Sequence, residues 1–85
     1  MGSTPLHESV IQDFRAIVLL LLEHGAAISS TDSDGWTPLH WAGSEGHPEM
    51  TLLLLEHGAE VTKKDNDGKV PLHYAAFRGP LNPEP

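Results

Sequence analysis

The stretch "DGWTPLHWAGSEGHPEM", residues 34–50, packs two histidines, three carboxylates and two tryptophans into a short run. Such a density of reactive groups reads either as an active site or as architecture. The stretch "DGKVPLHYAAFRGP", residues 67–80, helps to decide. Asp34 returns as Asp67, Gly35 as Gly68, Pro38 as Pro71, Leu39 as Leu72, His40 as His73, Ala42 as Ala75 and Gly46 as Gly79, each 33 residues later. A residue that performs chemistry has no reason to return at a fixed period. A residue that supports a repeating unit does.

The period also runs backwards. "TPLH" at 4–7 precedes "TPLH" at 37–40, and "LLLLEHGA" at 19–26 precedes "LLLLEHGA" at 52–59, by the same 33 residues. The chain divides into units of about 1–31, 32–64 and 65–85, the last one partial. Self-similarity at this period is the mark of a stacked solenoid. Thr37 suits a helix N-cap, and Pro38 suits the first helical position, where its missing N–H costs nothing. Gly46 offers a left-handed residue to end that short helix. Pro48 and Glu49 open a second helix, with a carboxylate near its positive end. Met50, Leu53, Leu54 and His57 follow at helical spacing, and Gly58 closes the helix, as Gly25 does one period earlier. Then "AEVTKKDNDG" brings an Asp-Gly turn and the next proline.

These features together, the 33-residue period, the finger Asp-Gly, "TPLH" and "LLLEHGA", resemble ankyrin repeats over nearly the whole chain. The resemblance implies an all-α solenoid of helix–turn–helix units with extended β-hairpin-like fingers. Some positions depart from the family pattern. Glu8, Ser9 and Val10 stand where an apolar residue and two alanines are usual, Asp13 replaces the turn glycine, and Val70 replaces the threonine cap.

The histidines admit two readings: metal ligands or general bases, or hydrogen-bonding posts. The resemblance implies that His7 with Thr4, and His40 with Thr37, are posts whose second ring nitrogen reaches a neighbouring finger, while His73 has no hydroxyl at Val70. Packed helices lie roughly 8–10 Å apart. Zinc–nitrogen bonds are about 2.0–2.1 Å, which requires ligand nitrogens within about 4 Å of each other. A ladder of equivalent histidines misses that by a factor of about two. His24 and His57 suit the negative end of a helix dipole, and His47 the start of the second helix. No nucleophile with a plausible base, P-loop or dinucleotide glycine pattern occurs, so no enzymatic activity, metal or cofactor is expected. Asp32, Asp34, Asp65 and Asp67 read as turn chemistry, because the spacing and closing glutamate of a calcium loop are missing.

Net charge is −7, from 5 basic against 12 acidic side chains. It disfavours nucleic acid and anionic membrane surfaces. The apolar run "AIVLLLL", 16–22, is far below the roughly 20 residues that span a bilayer. The absence of cysteine and of a secretory pattern in "MGSTPLHESV" leads to an intracellular expectation, cytoplasmic or nuclear.

The resemblance further implies that a protein partner docks on the concave surface of fingers and first helices. Mapped here, that surface is Ser33, Asp34, Trp36, Ser44, Glu45, Asn66, Asp67, Lys69, Phe77 and Arg78. Trp36 and Phe77 are expected to face outward as contacts, whereas Trp41 and Tyr74 pack between units. The carboxylates around Trp36 favour a partner with a basic rim. The alternative function is a structural spacer within a longer array, with no partner surface of its own. Leu19 and Leu52 are expected to form an apolar stripe on the convex side that, with an uncapped C-terminal face, drives self-association.

Overall fold

The computed structural model describes residues 2–78, and for residues 75–78 the backbone alone. Five helices follow one another: α1 (Pro5–Ile11), α2 (Arg15–Glu23), α3 (Pro38–Glu45), α4 (Pro48–Glu56) and α5 (Pro71–Arg78). The first helices α1, α3 and α5 lie side by side, with α3 against both of the others, while α2 packs on α1 and α4 on α3. No strand occurs among the described residues. The fingers are instead tight turns. Asp32 N–H donates to the Trp36 carbonyl at 2.9 Å and Asp65 N–H to the Lys69 carbonyl at 2.8 Å.

The tetrapeptide Thr-Pro-Leu-His explains the starts of α1 and α3. Thr37 is the extended N-cap, its hydroxyl accepting the His40 N–H, while the His40 ring accepts the Thr37 N–H. The two residues form a reciprocal capping box in which histidine takes the place usually held by glutamate or glutamine. Thr4 and His7 repeat it. Leu6 and Leu39, two residues after the caps, are at most 2% exposed.

The long helices end alike. After the C-caps His24 and His57, Gly25 and Gly58 take φ of 90° and 92°. Ala26 N–H donates to the Leu21 carbonyl, and Ala59 N–H to that of Leu54, both at 3.0 Å. This is the Schellman arrangement, and glycine enters the left-handed region without a Cβ penalty. The turn between α1 and α2 uses Asp13 at φ 62° where Gly46 stands at 72° in the next unit.

The core is a strip of Leu6, Val10, Val18, Leu39, Ala42, Met50 and Leu54, all buried. A fully buried Leu, Val or Met contributes roughly 1.5–3 kcal/mol. Ser9, Val10, Ala42 and Gly43 are buried residues of α1 and α3, the two helices that lie against each other. His47 ties the units together at the other end of the row: its Nε2 lies 3.1 Å from the Ile11 carbonyl, and its Nδ1 4.0 Å from Asp13 Oδ2.

Finger stacking makes two equivalent glycines unequal. Gly35 and Gly68 have φ of 77° and 78°, so alanine at either costs about 1–2 kcal/mol of backbone strain. A Cβ on Gly35 would in addition come within 2.9 Å of the Asn66 backbone nitrogen, whereas one on Gly68 meets nothing within 4 Å among the described residues. Gly35→Ala is expected to lower the urea midpoint clearly more than Gly68→Ala; equal effects would show that the fingers do not stack this closely.

Candidate partner interface

Each finger is organised by its own first aspartate. Asp32 Oδ1 accepts the N–H groups of Asp34 and Trp36, both at 3.0 Å, and Oδ2 accepts the Trp41 indole N–H at 2.9 Å. Asp65 Oδ1 accepts from the Asp67 and Lys69 N–H groups, both at 2.9 Å, and Oδ2 from the Tyr74 hydroxyl at 2.5 Å. The aspartate therefore closes the turn with one oxygen and pins the finger to its own helix with the other. Burial pushes these carboxyls up, but the side-chain bond and the two backbone bonds together outweigh it, and both Asp32 and Asp65 are held below the ordinary aspartate value. The same bond, helped by burial and the nearby negative charge, pushes the Tyr74 phenol up to about 12.

The histidines link one unit to the next. The Thr37 N–H can only donate, so His40 Nδ1, 3.1 Å away, is an acceptor. Nε2 then carries the proton and donates to the Lys69 carbonyl on the next finger, at 3.0 Å. His7 does the same with Thr4 and the Trp36 carbonyl, at 2.9 Å. Both rings are fully buried. His73 is exposed and still accepts the Val70 N–H at 3.2 Å. Loss of the threonine hydroxyl thus leaves half of the capping box, because the other half uses the cap's backbone. His57 donates its Nδ1–H to the Leu53 carbonyl at 2.9 Å, in the last turn of α4. Among the described residues, no three histidine or carboxylate side chains converge on a point that could hold a metal.

Of the residues assigned to the partner surface, the structure brings the finger tips together. Ser33, Asp34, Asn66, Asp67 and Lys69 are exposed. The Asn66 amide donates to the Ser33 carbonyl at 3.0 Å, and the Asn66 N–H to that of Asp34 at 3.1 Å. Ser44 and Glu45 are half-buried at the far end of α3, about 12 Å from its cap by helix length. Trp36, expected to face outward, is half-buried instead. Its ring centroid lies 4.5 Å from that of Trp41, 4.6 Å from Tyr74 and 5.8 Å from His40. The side chains of Phe77 and Arg78 fall outside the described residues. Sequence reasoning left Trp41 and Tyr74 as packing residues without their aspartate partners. The signal was present as a nine-residue spacing, Asp32 to Trp41 and Asp65 to Tyr74, that recurs with the period.

Helix pairs stacked in register, tied by rings that reach from one unit to the next finger, define a helical-repeat solenoid. The chain matches the family model for ankyrin repeats (3 copies) over residues 1–65 and again over 29–82, and it belongs to the ankyrin-repeat family. No curated protein matches its sequence. Ankyrin repeats are in general protein–protein interaction modules, and the family is typically non-enzymatic. Among the described residues no helix is long and apolar enough to cross a membrane.

Two measurements follow from these bonds. His40→Ala removes a buried ring with partners in two units, and a broken buried hydrogen bond costs about 1–3 kcal/mol. It is expected to destabilise the chain by at least that much in urea titration, and His73→Ala by clearly less. The other measurement is a titration of Tyr74, the single tyrosine. Its folded-state pKa lies above the ordinary 10.0, so its contribution is complete below that value and is lost as pH rises through about 12. Phenolate absorbance should appear near 12, and Asp65→Asn should return it toward 10.0. The lowered aspartates act in the opposite window. Their contribution is present above 3.8 and is lost as pH falls through their lower folded-state values.

Proposed function

We propose that the chain is a non-enzymatic, intracellular protein-interaction module, built of units meeting near residues 31 and 64, whose partner docks on the finger tips and the exposed side of the first helices. The observation that carries this reading is the bonding between tips. Asn66 donates twice to the preceding finger, so Ser33, Asp34, Asn66, Asp67 and Lys69 are exposed yet held in a fixed relation. A surface ordered before binding loses less entropy on docking. Asp34 and Asp67 lie at equivalent places on adjacent tips, which suits a partner with a basic rim. Trp36 supports this surface by packing beneath it, with its half-exposed edge available for contact. Ser44, Glu45, Phe77 and Arg78 extend the proposed surface along the first helices. Leu19 and Leu52, 36% and 55% exposed, form the proposed convex stripe for self-association.

Trp36→Ala would disturb the aromatic cluster and the contact together, so charge reversal at the tips is the cleaner test. A partner is first isolated with the intact chain, then measured against Asp34→Lys with Asp67→Lys. Binding at least about tenfold weaker, with a steeper loss at low salt and an unchanged thermal midpoint, is expected. Unchanged affinity would remove the finger surface from the reading, and the absence of any partner would favour a spacer.

A further inference from the structure

The segments that lead into the second and third fingers lie side by side, and their chemistry differs. Residues 28–34 read "ISSTDSD" and residues 61–67 read "VTKKDND", so Ser29, Ser30 and Thr31 stand one period before Thr62, Lys63 and Lys64. Two bonds tie the segments together. The Glu60 N–H donates to the Ser29 hydroxyl at 3.3 Å, and the Asn66 amide to the Ser33 carbonyl at 3.0 Å. Thr31 and Lys64 fall between these ties, each just before the aspartate that holds its own finger to its helix. Where units pack, equivalent positions differ in exposure, as Ile17 at 45% and Met50 at 0% do. On the outer surface they agree, as the exposed Leu19 and Leu52 do. Thr31 and Lys64 are both exposed and therefore neighbours along the outer surface. Residues 30–32 belong to neither helix nor turn, which leaves Thr31 outside regular structure. Other threonine hydroxyls are already used: Thr4 and Thr37 cap helices, and Thr51 donates to the His47 carbonyl.

We propose that Thr31 is a phosphorylation site for an acid-directed serine/threonine kinase, and that Lys64, with Lys63 beside it, holds the phosphate from the next unit. The Thr31 hydroxyl oxygen attacks the γ-phosphorus of a nucleoside triphosphate. Its bond to phosphorus forms as the bond from phosphorus to the bridging oxygen breaks, the nucleoside diphosphate leaves, and the hydroxyl proton passes to the kinase's own base. A substrate groove lined by cations is matched by Asp32 directly after the acceptor and by the exposed Asp34 two residues further on. Thr62 is exposed as well, but Lys63 and Lys64 follow it and repel such a groove. Phosphate on Thr31 adds about two negative charges. Asp32 is adjacent, yet its carboxylate is turned to the Asp34 and Trp36 N–H groups and the Trp41 indole. The exposed charge on the same surface is Lys64, and phosphate opposite a cation forms charge-assisted hydrogen bonds. The phosphate thus adds a third tie between the segments, midway between those of Ser29 and Asn66. This inference does not rest on a partner at the finger tips.

The folded chain, incubated with an acid-directed kinase and ATP, is read by mass spectrometry of its peptides. Phosphate on Thr31 is expected, lost in Thr31→Val and incorporated several-fold more slowly in Asp34→Asn. The phosphorylated chain should melt a few degrees above the unmodified one at low salt, with the gain fading at high salt. Lys63→Gln with Lys64→Gln should abolish that gain in chains phosphorylated to the same extent. Phosphate on Ser29, Ser30, Ser33 or Thr62 in place of Thr31, or none on the folded chain, would overturn the site. A midpoint unchanged or lowered by the phosphate, or a gain that persists without the two lysines, would overturn the tie between units.

Discussion

The fold depends on a ring that is bonded on both sides. His40 accepts the N–H of Thr37 at its own helix cap and donates to the carbonyl of Lys69 in the next unit. One side chain therefore ends a local problem, the unsatisfied N–H groups of a helix start, and begins a tertiary one, the position of the following finger. Alternatives fail on simple grounds. Glutamate at that position would complete the capping box but has no N–H to give the carbonyl. Lysine would donate but could not accept. A neutral imidazole does both, and its planar ring also stacks beside Trp36 at 5.8 Å.

The aspartates complete this arrangement from the finger side. Asp65 closes its turn through the N–H groups of Asp67 and Lys69, which fixes the Lys69 carbonyl that His40 reaches. Its other oxygen holds Tyr74, whose ring packs on Trp36 of the preceding unit. Cap and finger are joined in the same way at both junctions, by His7 to the Trp36 carbonyl and by His40 to the Lys69 carbonyl, and at the second junction the aromatic cluster of Trp36, Trp41 and Tyr74 is part of the same network. Of the histidines of residues 34–50, His40 is consumed by it and His47 is bonded to the Ile11 carbonyl, while the aspartates that build it, Asp32 and Asp65, lie outside that stretch. Each ring nitrogen of His40 already has a partner, which leaves no lone pair free for a metal or a substrate proton.

Much of this was legible in the sequence because it is local. A threonine followed by proline, and a glycine after a leucine-rich run, state where helices begin and end through bonds that span a few residues. The identity of "LLLLEHGA" in two places showed that the units stack. What escaped was tertiary. Trp36 sits in a finger, where side chains are usually outward, and only the approach of Tyr74 from the next unit turns it inward. The pairing of Asp32 with Trp41 joins a turn to a helix nine residues on, a distance at which neither helical nor strand periodicity gives a rule.

The exposure of Ile17 was illegible for a different reason. Sequence comparison between units treats Ile17 and Met50 as the same position, and both are apolar, so the pattern predicts the same burial for both. Burial in a solenoid is set by the neighbour and not by the unit itself. Met50 is covered because a first unit stands beside it, and Ile17 is bare because nothing described here stands beside that one. Periodicity therefore specifies the unit and its preferred contacts, while the state of an end is decided by what is stacked on it. That division also explains why Leu19 and Leu52 read correctly as surface residues: their environment is the solvent-facing side of each unit, which no neighbour changes.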